Sequence, residues 1–278
     1  MIHLSKKFYP ACLVYSLFIL AFLFPNISVG QTKQDIKKIG PQIISHRTSL
    51  TKSFHFHHPE ISPNDSLVAF SGNNNNYSGN TIWVMDIATN KYEQITFEDS
   101  SASTGDVMVR WSPDMKKLAF SSDIGGQSNI YTINIDGTEL RKINAEPLQT
   151  GAWQNRVSWY PDSRHVIISI RESEKNNLFK INVISGEISP VTNFSDETFE
   201  YPDISSNGNN VLYKSGNQLK SLDLQTMSVT EIDCDISGFS YPTWSPDGKW
   251  ISLQRVGRGW ESYILPSQGG KAIRVSPG

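Results

Sequence analysis

The sequence predicts an all-β fold, a β-propeller of four-stranded blades, and three observations carry that expectation. A block reading Trp244-Ser245-Pro246-Asp247-Gly248-Lys249 near the C-terminus returns as Trp111-Ser112-Pro113-Asp114 and Trp159-Tyr160-Pro161-Asp162, and more loosely as Ile61-Ser62-Pro63-Asn64 and Ile204-Ser205-Ser206-Asn207-Gly208. Anchored at their third residues, the five copies stand at 63, 113, 161, 206 and 246, separated by 50, 48, 45 and 40 residues, the period of one four-stranded blade per unit. Between the blocks, apolar residues come in short alternating or continuous runs bounded by turn residues, and no window keeps helical spacing.

In chain order, the first thirty residues read as an export signal. Lys6 and Lys7 supply positive charge, Ala11 to Phe24 is apolar, and Ser28-Val29-Gly30 offers the small residues that a signal peptidase inspects, which places cleavage before Gln31. An uncleaved anchor is the alternative, but the stretch holds Tyr15 and Ser16 and is broken by Pro25, which makes it short for a membrane span. Cys12 lies at the start of the apolar run rather than after it, against a lipoprotein attachment site. Residues 31–56 form an N-terminal segment in which Gln42-Ile43-Ile44-Ser45-His46 is strand-like, and the propeller is expected over 57–278.

Within the second unit, Val107 to Trp111 is the expected inner strand, Lys117 to Ser121 the second, Asn129 to Asn134 the third and Leu140 to Ile143 the outer one. Leu67 to Phe70, Val166 to Ile170, Val211 to Tyr213 and Trp250 to Leu253 repeat the second strand; Thr81 to Asp86, Asn177 to Asn182, Gln218 to Asp223 and Ser262 to Leu265 repeat the third. Proline sets φ at the first corner, Asp or Asn bonds nearby backbone, and Gly accepts positive φ, so Pro-Asp-Gly closes the hairpin between first and second strands. Asp114, Asp162 and Asp247 are therefore structural rather than catalytic. Trp111, Trp159 and Trp244, with Ile61 and Ile204, hold one place in the repeat, and Pro59, Val109, Val157, Pro202 and Pro242 stand two residues earlier. That period of two assigns one apolar face of each inner strand to packing against the neighbouring blade.

The whole chain carries 25 basic and 27 acidic residues; removal of the leader leaves 23 against 27. A mildly acidic chain gives no electrostatic reason to expect nucleic acid or an anionic membrane as partner. Cys234 would be the only thiol of the mature chain, so no internal disulfide can form and stability in an oxidising compartment must come from packing.

The block Trp-Ser-Pro-Asp-Gly-Lys, an apolar triplet, the run Asn129-Ile130-Tyr131-Thr132-Ile133-Asn134-Ile135-Asp136-Gly137 and a strand ending in Thr or Asn together resemble the WD40-like Pro-Asp repeat of TolB-type propellers. The resemblance covers residues 57–278, closest in the second and fifth units. TolB itself carries an α/β domain before a six-bladed propeller, whereas only residues 31–56 lie between the leader and the first repeat here. The resemblance implies that the 42–46 segment helps to close the ring; five blades with this added strand are favoured over a six-bladed ring with an eroded blade.

No Gly-x-Ser-x-Gly elbow, His-Glu-x-x-His, phosphate-binding glycine loop or paired Cys motif occurs. The one dense titratable run is His55-Phe56-His57-His58-Pro59-Glu60. In an extended segment His55 and His57 share one face and His58 and Glu60 the other, so a metal would need ligands from other blades. Propeller lyases acting on uronic-acid oligosaccharides use histidines and a divalent metal at the funnel, which keeps a metal-assisted polysaccharide enzyme as the rival reading. Glycosidase chemistry would need converging carboxylates; Glu60, Glu200 and Asp203 lie near inner-strand entrances, but Glu60 and Asp203 share their column with Arg110, Ser158 and Thr243.

Loops joining outer strand to next inner strand and second to third strand surround the opening of a propeller and supply its usual binding face. Trp153, Gln154, Asn155 and Arg156 combine a flat aromatic, planar amides and a cation there; Arg255, Arg258 and Trp260 do so again, and His57, His58, Arg171 and Tyr201 complete the candidate set. Such a mixture suits a carboxylate, a carbohydrate or a peptide. The sequence therefore reads as an exported, non-catalytic binding or scaffolding module, periplasmic or secreted. No cofactor is expected, and its partner would be a protein, peptide or glycan at the propeller mouth, with no membrane insertion once the leader is gone.

Overall fold

A computed structural model of the chain describes residues 55–73, 79–97, 105–144, 156–172, 175–256 and 259–276. Five four-stranded antiparallel sheets stand in a ring, a five-bladed propeller. Blade 1 is β1 (His55–Ile61), β2 (Leu67–Asn73), β3 (Thr81–Asp86) and β4 (Tyr92–Gln94); blade 2 is β5 (Asp106–Trp111), β6 (Lys117–Ser122), β7 (Asn129–Asn134) and β8 (Arg141–Lys142). Blade 3 is β9 (Val157–Trp159), β10 (His165–Glu172), β11 (Lys175–Asn182) and β12 (Ile188–Pro190); blade 4 is β13 (Glu200–Ile204), β14 (Asn210–Ser215), β15 (Gln218–Asp223) and β16 (Val229–Ile232). Blade 5 is β17 (Phe239–Trp244), β18 (Trp250–Val256), β19 (Trp260–Pro266) and β20 (Ile273–Arg274). The leader and the 42–46 segment lie outside the described residues. Among those described, no helix is long and apolar enough to cross a membrane.

The corner chemistry goes further than proline and glycine. In blades 1, 2, 4 and 5 the serine hydroxyl donates to the Asp or Asn side chain two residues on, as Ser112 does to Asp114 at 2.7 Å and Ser245 to Asp247 at 2.6 Å. The same hydroxyl accepts the N–H of the residue that opens or adjoins the second strand, at 2.9 Å in Lys117 and Trp250. Blade 3 has Tyr160 in place of serine, and its Asp162 instead accepts from His165, backbone and ring. The residue after the Asp or Asn is left-handed in every copy: Gly208 and Gly248 at φ 76° and 69°, but Asp65, Met115 and Ser163 at φ 60°, 61° and 54°. Glycine meets that demand without steric cost; the others carry it as strain.

The Thr or Asn after the outer strands of blades 1, 2 and 3 also has a visible reason. Thr96, Asn144 and Thr192 accept the backbone N–H of Ile82, Ile130 and Leu178 at 2.8, 2.7 and 2.9 Å, so the chain end of each of these blades is tied to its third strand. Outer strands of two to four residues then leave little unpaired edge.

The cores lie between blades, as the period of two requires. Ala69, Ile82, Val84 and Ile95 of blade 1 meet Val109, Trp111, Leu118 and Phe120 of blade 2, and blades 2 and 3 join through Ile130, Ile143, Val157 and Trp159. Ile167 and Leu178 meet Phe199 and Tyr213 between blades 3 and 4, and Leu212 and Leu219 meet Phe239 and Leu253 between blades 4 and 5. Full burial of each such side chain contributes about 1.5–3 kcal/mol. Gly105, at φ 71°, enters blade 2 against blade 1; a β-carbon there would stand 2.2 Å from the Asn80 carbonyl oxygen, so no larger residue fits.

Candidate functional site

Five inner strands run from the propeller mouth to the Pro-Asp corners, and two columns of side chains descend the axis. The pairing of β1 with β2 advances three residues on one strand and two on the other between His57 and Glu60. The same one-residue bulge recurs between Val107 and Arg110, Glu200 and Asp203, and Ser240 and Thr243. Each bulge holds a left-handed non-glycine residue: His58, Met108, Tyr201 and Tyr241 at φ 48°, 57°, 55° and 55°. A bulge re-aims a side chain at the cost of local strain. Here the bulge residues converge on the axis: the Tyr201 and Tyr241 rings are 4.5 Å apart, His58 is 6.0 Å from Tyr241, and Trp260 is 6.3 Å from Tyr241. Burial, then the charges of His57, Arg110 and Arg156, push His58 well below the usual histidine range, so it is neutral at pH 7.

Blade 3 has no bulge among its described pairs, and Arg156 takes the corresponding place. Arg156 is fully buried; its Nη1 donates to the Pro242 carbonyl at 2.6 Å and its Nη2 to Asp203 Oδ1 at 3.2 Å and to the Thr243 hydroxyl. Burial, then the nearby Arg110 charge, brings it down to about 9, against the pull of Asp203 and Glu60, so it stays charged at neutral pH. The expected placement of Arg156 in a rim loop is thus corrected: the side chain crosses the axis and ties blade 3 to blades 4 and 5.

The column nearer the corners, Glu60, Arg110, Ser158, Asp203 and Thr243, joins neighbours. Arg110 pairs with Glu60 at 3.2 Å, Ser158 Oγ accepts the Ile204 N–H at 3.0 Å, and Asp203 Oδ2 accepts the Trp244 N–H at 2.8 Å. Trp111 and Trp159 donate their indole N–H to the carbonyls of Glu60 and Arg110, at 3.1 and 3.2 Å, linking blades 2 and 3 to their predecessors. Burial raises the Glu60 pKa, opposed by Arg110. Glu60 and Asp203, weighed above as catalytic carboxylates, are each held by an arginine of the adjacent blade; Glu200 is held by Lys214 at 2.6 Å within its own blade.

The remaining candidates divide. His57, His58, Tyr201 and Trp260 stand at the mouth, with the His57 and His58 rings 6.3 Å apart. Arg255 is drawn into its own blade by Glu261 at 2.7 Å, and Arg171 is exposed at the end of β10. Trp153, Gln154, Asn155 and Arg258, and the side chain of His55, lie outside the described residues. Among the described residues, no three of His, Cys, Asp and Glu converge as a metal set would. Tyr241 escaped the sequence reading because a bulge leaves no periodic mark; its φ > 0 shows only in the backbone.

Beyond the axial pairs, toward the corners, lies a cavity of about 380 Å³ lined by Glu60, Ile61, Pro63, Arg110, Trp111, Pro113, Ser158, Trp159, Asp203, Ile204, Ser206, Thr243, Trp244 and Pro246, among others. It opens on the face opposite to the loops favoured from the sequence.

Comparison with known proteins places this geometry. Residues 36–231 match the TolB β-propeller domain model, PD40. The putative TolB from Agrobacterium tumefaciens aligns with a TM-score of 0.65 at 18% identity, covering 80% of each chain. TolB from Acinetobacter baumannii aligns at 0.63 and 18%, covering 77% of this chain and 52% of its own, so the chain spans about half of that relative. An oligogalacturonate lyase from Vibrio parahaemolyticus aligns at 0.53 and 12%, covering 78% of this chain and 67% of its own. At such identities the likeness is one of fold, and a search of curated proteins found no match. The repeat, the propeller fold and the family match agree: the chain belongs to the TolB β-propeller family.

Proposed function

We propose that the chain is an exported, non-catalytic binding or scaffolding module, periplasmic or secreted, that holds a peptide, protein segment or glycan at the propeller mouth. The observation that supports this best is the fate of the axial carboxylates. Glu60 and Asp203 are occupied by Arg110 and Arg156 of adjacent blades, while the mouth presents the flat rings of Tyr201, Tyr241 and Trp260. Rigid aromatics with the neutral imidazole of His58 beside Tyr241 offer contact area at low entropic cost.

The test uses the secreted chain, its N-terminus sequenced to check cleavage before Gln31. Peptides and oligogalacturonates are titrated by calorimetry with and without manganese, and unsaturated products are followed by their ultraviolet absorbance. Binding without turnover that weakens at least tenfold in Tyr201→Ala, which removes one stacked ring, supports the module. Turnover that requires manganese and is lost in His57→Ala establishes the lyase reading instead.

A further inference from the structure

We infer that the corner-face cavity is a second binding site, separate from the mouth, and that it takes a phenol group. Its walls are apolar and repeat-derived: Trp111, Trp159 and Trp244 stand beside Ile61 and Ile204. Pro63, Pro113 and Pro246 form the rim, with Ser206 at the repeat position that proline holds in the other four blades. About 380 Å³ falls in the range of small-molecule sites and is lined mainly by flat or rigid groups, which lose little entropy on binding.

The polar floor narrows the chemistry. Asp203 is saturated by Arg156, Ser158 and the Trp244 N–H, which leaves Glu60 and Arg110 as the charged pair with room for a ligand. Their contact is one-sided, a single Nη1 to Oε2 approach at 3.2 Å, and the Glu60 and Arg110 side chains are 27% and 17% exposed. A carboxylate acceptor and a guanidinium donor side by side, at the bottom of an apolar well, match a group that both donates and accepts and carries no charge. A hydroxyl on an aromatic ring does so: its O–H donates to Glu60, its oxygen accepts from Arg110, and its ring lies among the indoles. A carboxylate would meet Glu60 and an ammonium would meet Arg110, each with repulsion as well as attraction, and a plain hydrocarbon would leave both polar groups dry and unmatched.

The source of the phenol is either a free small molecule or a tyrosine side chain of a peptide, and the two are told apart by probe. Full-chain protein labelled with fluorotryptophan is titrated with p-cresol, toluene, p-toluate and N-acetyl-tyrosinamide, with indole resonances assigned by single Trp→Phe variants and followed by fluorine NMR. The expected result is saturable movement of the Trp111, Trp159 and Trp244 signals with p-cresol, about tenfold weaker with toluene and with p-toluate, the worth of one well-made polar contact. Binding of N-acetyl-tyrosinamide at least as tight as that of p-cresol assigns the peptide source; p-cresol alone assigns the small molecule. Ser206→Trp, an exposed rim change that touches none of the buried pairs, abolishes the shifts while leaving the Trp260 signal in place. No saturable shift with either phenol, equal affinity for toluene, or shifts that survive Ser206→Trp would each overturn the inference.

Discussion

Blades 2 and 3 are adjacent copies of one repeat, yet they meet the axis in different ways. Blade 2 opens with the buried carboxyl of Asp106, which accepts from Thr96 and so binds backward to blade 1; its bulge then turns Met108 toward Tyr241. Blade 3 begins with the buried guanidinium of Arg156, has a three-residue inner strand, and binds forward to blades 4 and 5. The corners of the two blades differ in side chains, Ser112 against Tyr160 and Met115 against Ser163, yet close the same left-handed turn; the inner ends differ in charge, register and direction of attachment. Repetition therefore governs how each blade folds on itself, while departures from it govern how the ring is joined.

The largest expected effect falls on the forward clasp. Arg156→Met strands the Asp203 carboxylate and empties the axis, and is expected to cost about 3–5 kcal/mol in urea unfolding, as breaking a buried pair does. Arg156→Lys recovers only part, because one ammonium cannot reach Asp203, Pro242 and Thr243 together; full recovery would mean that charge alone, not the fork, holds blades 3 to 5.

The backward attachment carries a pH signature. Burial pushes Asp106 from 3.8 up to about 6, opposed by bonds from Ser122 and Thr96 and aided by Asp123. A carboxyl whose folded value is raised contributes its full stability below about pH 4 and loses it as pH climbs through about 6, a change on the order of 3 kcal/mol. Asp106→Asn is expected to flatten the dependence of the urea midpoint on pH across that window; an unchanged slope would remove Asp106 from the account.

Smaller still is the indole contrast. Trp159→Phe forfeits the bond to the Arg110 carbonyl and leaves that oxygen without its indole donor, about 1–2 kcal/mol. Trp244, whose Nε1 is buried without a partner, is expected to tolerate the same change within about 0.5 kcal/mol. Equal losses at the two positions would show that ring volume, not the indole bond, joins the blades. The smallest effect belongs to the corners: Met115→Gly relieves a left-handed methionine at φ 61° and is expected to stabilise by about 0.5 kcal/mol.

The corners, the strand runs and the packing tryptophans were legible because each answers to a local rule written several times over. The channel was not. Glu60, Arg110, Ser158, Asp203 and Thr243 share one column in the sequence and look like a mixed set with no common purpose. Their pairing is between columns of different blades, some forty to fifty residues apart, and no periodicity records it. Arg156 was misplaced for a related reason: three residues before the recurring tryptophan it still reads as loop, and only the ring shows that it points inward. The four bulges were invisible because an extra residue on one strand is defined by the register of its partner.

By itself, then, the sequence determined an all-β repeat, its Pro-Asp corners, the tryptophan column and the family, since these depend on short-range backbone preference and on apolar spacing within one blade. The tertiary structure alone decided that the five blades stand in a ring, that the axial charges are paired with one another, and that a cavity opens among the corners. Those outcomes depend on which side chains the ring brings face to face, and burial makes that choice across distances that the chain order does not encode.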